Sequence, residues 1–425
     1  MYSEKISRTK PGLFYLRLSP ELVFIISSLV VNGGNYLYNM LLGRYLGPEA
    51  FAETGLIITL LLILSFLGMT FQIVTAKYVV ELKEASLIFY VRMKSIGWVL
   101  GVIGSLLIVL FSEPIRVFFQ ASNTLIFYLF ALSIPFYFVM SIRRGALQGK
   151  KQYGALSSTY QGEMWSRLLI TLPLILLDLF NSSVTVAMGI TLSIIVGYFM
   201  SNGVESLFRS TSKAVLSKKI WSTIIAFILS TVLYEFTQIL INYADLLTVK
   251  HFMTEMEAGL YTSLSLVGRM IYFIAWMFVI LLLPDVVNKK NEGVPHGQVL
   301  VKYVLLISFF SGTVVLGCFL FPNLVIGLLF GNKYSSIEPL LWKYALATSF
   351  FAISIVFIYY FLAINKYLPL YMALGFALLQ LFSYTFFHES IAEVVIVQMI
   401  TMGALVVTLV TYFLLNTRKD KVSCQ

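Results

Sequence analysis

Long apolar stretches separated by short polar segments fill nearly the whole 425-residue chain. A helix needs about 20 mostly apolar residues to cross the hydrocarbon core of a bilayer. Twelve stretches reach this length, so the pattern predicts twelve membrane-spanning helices. Their bounds are 19–42, 50–75, 92–112, 123–142, 161–179, 183–206, 220–248, 258–284, 299–320, 337–363, 367–387 and 391–414.

The composition supports this interpretation. Hydrophobic residues make up 59% of the chain and charged residues only 12%, whereas soluble domains have about 45–50% and about 25%. A soluble enzyme, a secreted domain and a disordered chain are therefore excluded. We expect an all-α integral membrane protein whose first apolar stretch, too long for a signal-peptide core, stays in the protein.

The distribution of basic residues predicts the orientation, because Lys and Arg collect in cytoplasmic loops. With both ends inside, the cytoplasmic segments hold 23 of the 30 Lys and Arg residues, the outer loops hold four and the spans hold three. We therefore expect a multi-pass protein of the cytoplasmic membrane with cytoplasmic N- and C-termini. The net charge of +10 is then a topology signal, and it indicates no nucleic-acid partner.

Catalytic chemistry has little support in the sequence. Two cysteines exclude a disulfide framework. The three histidines lie far apart, without the spacing of a metal hydrolase, and no P-loop motif for ATP is present. We expect a chain that is not an enzyme and uses no metal or cofactor.

The two halves of the chain resemble each other weakly. Asn35–Tyr36 matches Asn242–Tyr243 at an offset of 207 residues, and 131–136 matches 345–350 at an offset of 214. Six spans per half is an even number, so both halves have the same orientation, as in transporters built from parallel repeats. The expected parts are an N-terminal lobe, a cytoplasmic linker, a C-terminal lobe and a cytoplasmic tail, at 1–206, 207–219, 220–415 and 416–425.

Polar residues form a one-sided stripe on the first span and another on the seventh. At helical spacing, these stripes contain Ser28, Asn32, Asn35 and Asn39 in span 1, and Glu235, Gln238, Asn242 and Asp245 in span 7. The repeat makes the two spans equivalent, so both stripes would face one central cleft. Amides also join membrane helices by hydrogen bonds, and this alternative stays open.

Other ionisable residues also lie at membrane depth, where charge is costly. Arg269 is 11 residues into span 8, roughly 16 Å below its outer end. Its guanidinium therefore either pairs with Glu235 or Asp245, or binds an anion such as phosphate. Glu163 and Arg167 have the favourable order for an intrahelical ion pair, and contact with substrate is the alternative.

Four segments resemble the polysaccharide exporters, the oligosaccharide flippases of the multidrug/oligosaccharidyl-lipid/polysaccharide (MOP) exporter superfamily. They are R-x-L-G-P-E-x-F at 44–51; R-G-x-L-Q-G at 144–149 with Tyr153, Glu163 and Arg167 after it; D…E-x-G-x-Y at Asp245 and 257–261; and F-G-x-x-Y at 330–334. They follow the family's order across nearly the whole chain. Tyr153 replaces the usual Phe, and Glu53 interrupts the normally apolar start of span 2.

This resemblance implies two six-helix lobes in a V around a central cavity. It also implies alternating access that carries a lipid-linked oligosaccharide to the outer leaflet for cell-surface polysaccharide biosynthesis. The partners would be this lipid-linked glycan, membrane lipid, and the glycosyltransferases or polymerase of a polysaccharide assembly system. The cavity would be lined by Asn32, Asn35, Asn39, Gln238, Asn242 and Arg269, while ion coupling or ion pairing would involve Glu235, Asp245, Glu163 and Arg167.

Two other functions stay open. A multidrug or cation antiporter of the same superfamily would share the lobes, but its cavity should be acidic, and Arg269 argues against that. A membrane glycan polymerase or glycosyltransferase would need a sizeable outer loop with catalytic Asp, Arg or His. The longest outer loop, at about 321–336, holds no carboxylate.

The charge distribution generates a test of topology. Cysteines placed in the basic segments 143–160 and 207–219 should resist membrane-impermeant thiol reagents in intact cells, because these segments face the cytoplasm. A cysteine at Asn332 should react from outside. Labelling of both basic segments from outside would contradict the twelve-span orientation.

Overall fold

The computed structural model describes residues 20–208, 217–292, 294, 296–364 and 366–422. The first 19 residues, most of the predicted linker 207–219 and the last three residues of the predicted tail lie outside the described residues. Within the described ranges the regular structure is entirely helical.

Fourteen α-helices follow one another along the described chain. In order, α1 to α14 are Pro20–Leu46, Pro48–Glu81, Ser86–Leu110, Ser112–Phe118, Leu125–Gly149, Tyr153–Leu176, Ser182–Met200, Lys218–Phe252, Glu255–Asn291, Gly297–Leu320, Pro322–Leu329, Glu338–Ala363, Leu368–Tyr384 and Ile391–Val422. Twelve of them coincide with the twelve predicted spans, and the all-α membrane architecture is confirmed. The short helices α4 and α11 are additions that the apolar pattern does not predict.

Nine helical segments of the described chain are long and apolar enough to cross a membrane, and α13 is a shorter apolar helix. The helices α1 and α6 fall outside this group. Helix α1 carries the asparagine stripe, and α6 carries the Glu163–Arg167 pair. These polar residues lower the mean hydropathy of the two helices.

Several helices are longer than the predicted spans. Helix α2 continues to Glu81, α9 to Asn291 and α14 to Val422. The apolar pattern marks only the part of a helix that lies in hydrocarbon. Backbone hydrogen bonds continue the same helix into the polar surroundings, so the membrane segment and the helix do not end together.

The two halves of the chain repeat one packing scheme. In the first half, α2 and α3 pack on α5, α5 and α6 pack on α7, and α1 packs on α6. In the second half, α9 and α10 pack on α12, α12 and α13 pack on α14, and α8 packs on α13. The short helices α4 and α11 also follow equivalent long helices, α3 and α10. The weak sequence repeat therefore corresponds to two six-helix lobes of the same design.

Helix α8 packs on both lobes, and it begins at the end of the molecule that is predicted to be cytoplasmic. Its first turns pack on the first lobe, where the Tyr78 hydroxyl donates to the Thr223 carbonyl at 3.4 Å. Nearby, Lys77 lies 3.8 Å from the centre of the Phe227 ring, and Phe89 contacts Trp221. The helix that opens the second half of the sequence therefore belongs partly to the packing of the first lobe.

At the opposite end, predicted to be the outer side, the lobes meet along a contact that we call the outer seam. It is formed by 43–48 of the first lobe and by 257–261 and 328–334 of the second. The Tyr334 hydroxyl donates to the Gly43 carbonyl at 2.6 Å, and Arg44 Nη1 donates to the Leu328 carbonyl at 2.9 Å. These direct bonds hold the lobes together at this end of the molecule.

The seam depends on close backbone approach at Gly259. A Cβ atom added there would lie 1.7 Å from the Pro48 carbonyl oxygen, so Gly259→Ala should force the seam apart and lower the free energy of unfolding by about 1–3 kcal/mol. Gly317→Ala is the matched control, because a Cβ at that helical glycine has no neighbour within 4 Å. Thermal unfolding of the two purified variants should separate them, and equal midpoints would contradict this role for Gly259.

Candidate functional site

The interior of the first lobe holds one carboxylate shared by two guanidinium groups. Arg144 Nη2 lies 2.9 Å from Glu163 Oε2, and Arg167 Nη2 donates to Glu163 Oε1. All three residues are buried. We call this group the arginine cluster (Arg144, Glu163 and Arg167). The predicted pair of Glu163 and Arg167 is thus present in the structure, and Arg144 is a third member that sequence reasoning did not identify.

The segment 144–149 supports this cluster from α5. Arg144 donates to Thr159 through Nε and Nη2, at 3.0 and 2.9 Å, and its guanidinium lies 3.9 Å from the centre of the Tyr160 ring. Gly145 allows contact with the backbone of α2 at Gln72. Gln148 accepts a 2.9 Å hydrogen bond from Gln72. Each polar position of the R-G-x-L-Q-G segment therefore fixes α5 against α2 or α6.

The asparagine stripe of α1 lies next to the cluster. Asn35 Oδ1 accepts from Arg167 Nη1 at 3.2 Å, and Asn39 Nδ2 donates to the Asn35 carbonyl at 2.9 Å. Asn32, Asn35 and Asn39 are all half-buried. Asn35 thus joins α1 to α6 by a hydrogen bond. For Asn35 the structure shows the helix-joining role, whereas Asn39 bonds within its own helix; cavity lining stays a prediction for all three asparagines.

In the second lobe, Asp245 is a fully buried acceptor. Its Oδ2 accepts from the hydroxyls of Tyr261, at 2.7 Å, and Tyr344, at 3.1 Å. Its Oδ1 accepts from the backbone N–H of Leu246 at 2.8 Å. These bonds join α8, α9 and α12. Three donors satisfy this carboxylate, so its clearest role in this structure is to hold the lobe together.

Glu235 and Gln238, one helical turn apart on α8, lie in a very different environment. Their side chains are 3% and 2% exposed. Among the described residues, no hydrogen bond or ion pair holds the Glu235 carboxylate, and both polar atoms of Gln238 are unpaired. Asn242, the next stripe residue, donates to the Gln238 carbonyl at 2.8 Å. In this conformation protein encloses the part of the stripe that contains Glu235 and Gln238.

Arg269 lies in α9 and is partly exposed. Its guanidinium carbon is 6.0 Å from the centre of the Tyr243 ring. No carboxylate of the described residues lies within 4.0 Å of it. The predicted alternatives were a direct ion pair with Glu235 or Asp245 and an anion site, and this conformation contains no direct pair.

The segments that resemble polysaccharide exporters have definable structural roles. Gly47 has φ +77° and precedes Pro48, the first residue of α2, as expected of a Gly–Pro helix start. Glu257 forms a capping box with Thr254, accepting from its N–H at 3.1 Å and its hydroxyl at 2.7 Å. Phe330 packs against Gly43. Three of the four segments therefore meet at the outer seam.

A separate cavity of about 610 Å³ lies at the outer end of the molecule. The charged residues that line it all carry carboxylates, and they are Glu49, Glu53, Asp178 and Glu255. Glu53, the residue that departs from the family pattern, accepts from the N–H and hydroxyl of Ser122 and so fixes the start of the α4–α5 connection. None of the predicted site residues lines this cavity, so the acidic outer cavity and the membrane-depth cations are separate features.

Solved structures of transporters share this fold. An inward-facing multidrug resistance MATE family transporter of the MOP superfamily superposes with a TM-score of 0.71 and 14% identity, covering 91% of this chain and 97% of that one. The lipid II flippase MurJ in its inward closed conformation gives 0.74 and 14%, covering 92% and 87%. This chain has the fold of MOP superfamily transporters.

Sequence comparison adds a more limited result. No family model matches the chain. The uncharacterized membrane protein MJ1375 of Methanocaldococcus jannaschii is 23% identical over 318 residues, which is 72% of this chain and 74% of that protein. These likenesses support a multi-pass membrane protein with a MOP-type fold, while the polysaccharide exporter branch stays a prediction.

The two carboxylates of α8 should respond oppositely to neutralisation. Asp245→Asn removes a charged acceptor from two tyrosine hydroxyls and should cost about 1.5–3 kcal/mol of stability. Glu235→Gln removes a buried charge without a partner and should leave stability unchanged or raise it. Unfolding midpoints of the purified variants measure this difference. A larger loss for Glu235→Gln than for Asp245→Asn would contradict the assignment.

Proposed function

We propose that the chain is a membrane transporter that moves a lipid-linked oligosaccharide from the cytoplasmic to the outer leaflet by alternating access, for cell-surface polysaccharide biosynthesis. The diphosphate head of such a lipid carries negative charge and cannot cross hydrocarbon unaided. The glycan carries many hydroxyls that need hydrogen-bond partners. A transporter for it therefore needs a cation and polar groups at membrane depth, with an opening to the lipid for the polyprenyl tail.

The observation that carries this proposal is Arg269. It lies 14 residues after Glu255, the first residue of α9, or roughly 21 Å along the helix. A guanidinium at this depth stays charged and needs an anion or water. The described residues provide no carboxylate within 4.0 Å of it, and Asp245 acts on it only at longer range, so a phosphate can bind the group directly.

The outer seam supports the exporter branch. The segments that resemble polysaccharide exporters, near Arg44, Gly259 and Tyr334, make up the contact that closes the outer side. Alternating access requires this contact to open when the substrate leaves. Residues that are shared with exporters thus lie where a gate would have to work.

The energy source in this proposal is a cation gradient or the membrane potential, because the sequence has no P-loop. Of the two candidate carboxylates, Asp245 has three hydrogen-bond donors, and Glu235 has no described partner. A buried carboxylate without a partner gains most from binding a proton or a small cation. Glu235 is therefore the better candidate for coupling.

The second candidate function is export of cationic drugs, and the fold shared with MATE transporters favours it. The two proposals differ in the charge of the transported molecule. Efflux of a cationic dye such as ethidium, dependent on this protein and competed by other organic cations, would support the antiporter. Transbilayer movement of a lipid-linked oligosaccharide that the dye does not inhibit would support the flippase.

Arg269→Ala should abolish movement of the lipid-linked oligosaccharide, because the cation that binds the anionic head is lost, while the protein remains inserted and folded. Arg269→Lys keeps the charge without the planar fork suited to phosphate, so partial transport is expected. Reconstituted vesicles with a labelled prenyl-diphosphate oligosaccharide measure the rate. Normal transport by a well-folded Arg269→Ala protein would contradict the anion-binding role.

A further inference from the structure

The arginine cluster contains more positive than negative charge. Two guanidinium groups share the single carboxylate of Glu163, and among the described residues no other carboxylate lies within 4.0 Å of either one. A net charge enclosed by protein is costly unless an anion or water compensates it. The first lobe therefore carries an excess cation in its interior.

The two arginines of the cluster are held differently. Arg144 is 1% exposed and directs its bonds at Thr159 and Glu163 while stacking on Tyr160. Apart from Glu163, Arg167 has two neutral acceptors at longer range, Asn35 Oδ1 at 3.2 Å and Ser193 Oγ at 3.3 Å. Arg167 is therefore the arginine that can exchange a partner at the lower cost.

We propose that Arg167 is a second anion-binding group, which takes a phosphate of the transported lipid in exchange for the side chain of Asn35. A phosphate is a charged acceptor that arginine can bind through two parallel N–H···O bonds, whereas Asn35 Oδ1 accepts a single bond from Arg167. Asn35 and Asn32 lie half-buried on the same face of α1. The head group would approach along this face.

This inference rests on the proposed function and specifies its substrate further. Arg167 belongs to α6 of the first lobe, and Arg269 belongs to α9 of the second. A diphosphate carries more negative charge than a monophosphate, so it gains more than a monophosphate does from a second arginine.

The test compares farnesyl diphosphate with farnesyl monophosphate, two lipids with one tail and different charge, on the full chain in lipid nanodiscs. The wild-type protein should bind the diphosphate at least tenfold more tightly than the monophosphate. Arg167→Gln should reduce this ratio to below about threefold, which is a loss of roughly 0.7 kcal/mol of discrimination or more. Arg167→Lys should give an intermediate ratio. Isothermal titration calorimetry measures each affinity.

Arg143→Gln is the matched control. Arg143 is 7% exposed, as Arg167 is, but it donates to the Tyr198 carbonyl and stacks on the Tyr198 ring, outside the cluster. This variant should keep the wild-type ratio. The double variant Glu163→Gln with Arg167→Gln keeps the net charge of the cluster. It should still lose the preference for the diphosphate, because Thr159 and Tyr160 hold Arg144 in place.

Each outcome has a distinct meaning. A wild-type ratio in folded Arg167→Gln or in the double variant would overturn the second site, and so would an equal loss in Arg143→Gln. If Arg269→Ala abolishes binding while Arg167→Gln does not change it, the inference is wrong and the proposed function stands. If the wild-type protein binds neither lipid but binds ethidium, both are wrong. Should Arg167→Gln not fold, Arg167→Lys and the double variant decide the question.

Discussion

The need to satisfy charge away from water controls the interior of this protein. In each lobe a buried carboxylate holds several helices, Glu163 through two guanidinium groups and Asp245 through two tyrosine hydroxyls and a backbone N–H. Removing one partner of such a group strands a charge, which costs about 3–5 kcal/mol for a buried ion pair. The helix packing around both groups therefore depends on these bonds.

The two lobes share a packing scheme but differ in polar chemistry. The first lobe has an excess of guanidinium groups around Glu163, whereas α8 in the second lobe carries two carboxylates. One of them, Glu235, is buried and has no hydrogen-bond partner among the described residues. A repeat constrains helix lengths and contacts through apolar packing, and it leaves individual polar positions free to diverge. The proposed transport of an anionic lipid coupled to a cation requires such a difference, because the two ligands need opposite charges.

The outer seam gives a structural role to several residues of the segments that resemble polysaccharide exporters. Gly47, Gly259 and Gly331 are needed where the backbone turns or approaches closely, at φ +77°, against Pro48 and at φ +87°. Arg44 and Tyr334 bond to backbone carbonyls of the other lobe. A contact made through backbone atoms and glycines can close tightly, because no Cβ atom at Gly259 keeps it from the Pro48 carbonyl oxygen.

The sequence by itself determined the helical membrane architecture, the number of long helices and the two-lobe repeat. Apolar length and the spacing of polar residues are local properties, and they also brought Glu163 and Arg167 together on one helix face. Only the tertiary structure places Arg144 as a third member beside Glu163 and Arg167. It also distinguishes Asp245, which has three hydrogen-bond donors, from Glu235, which has no partner among the described residues. These partners come from distant helices, such as α9 and α12 for Asp245, and no local spacing encodes which helix packs beside a given face.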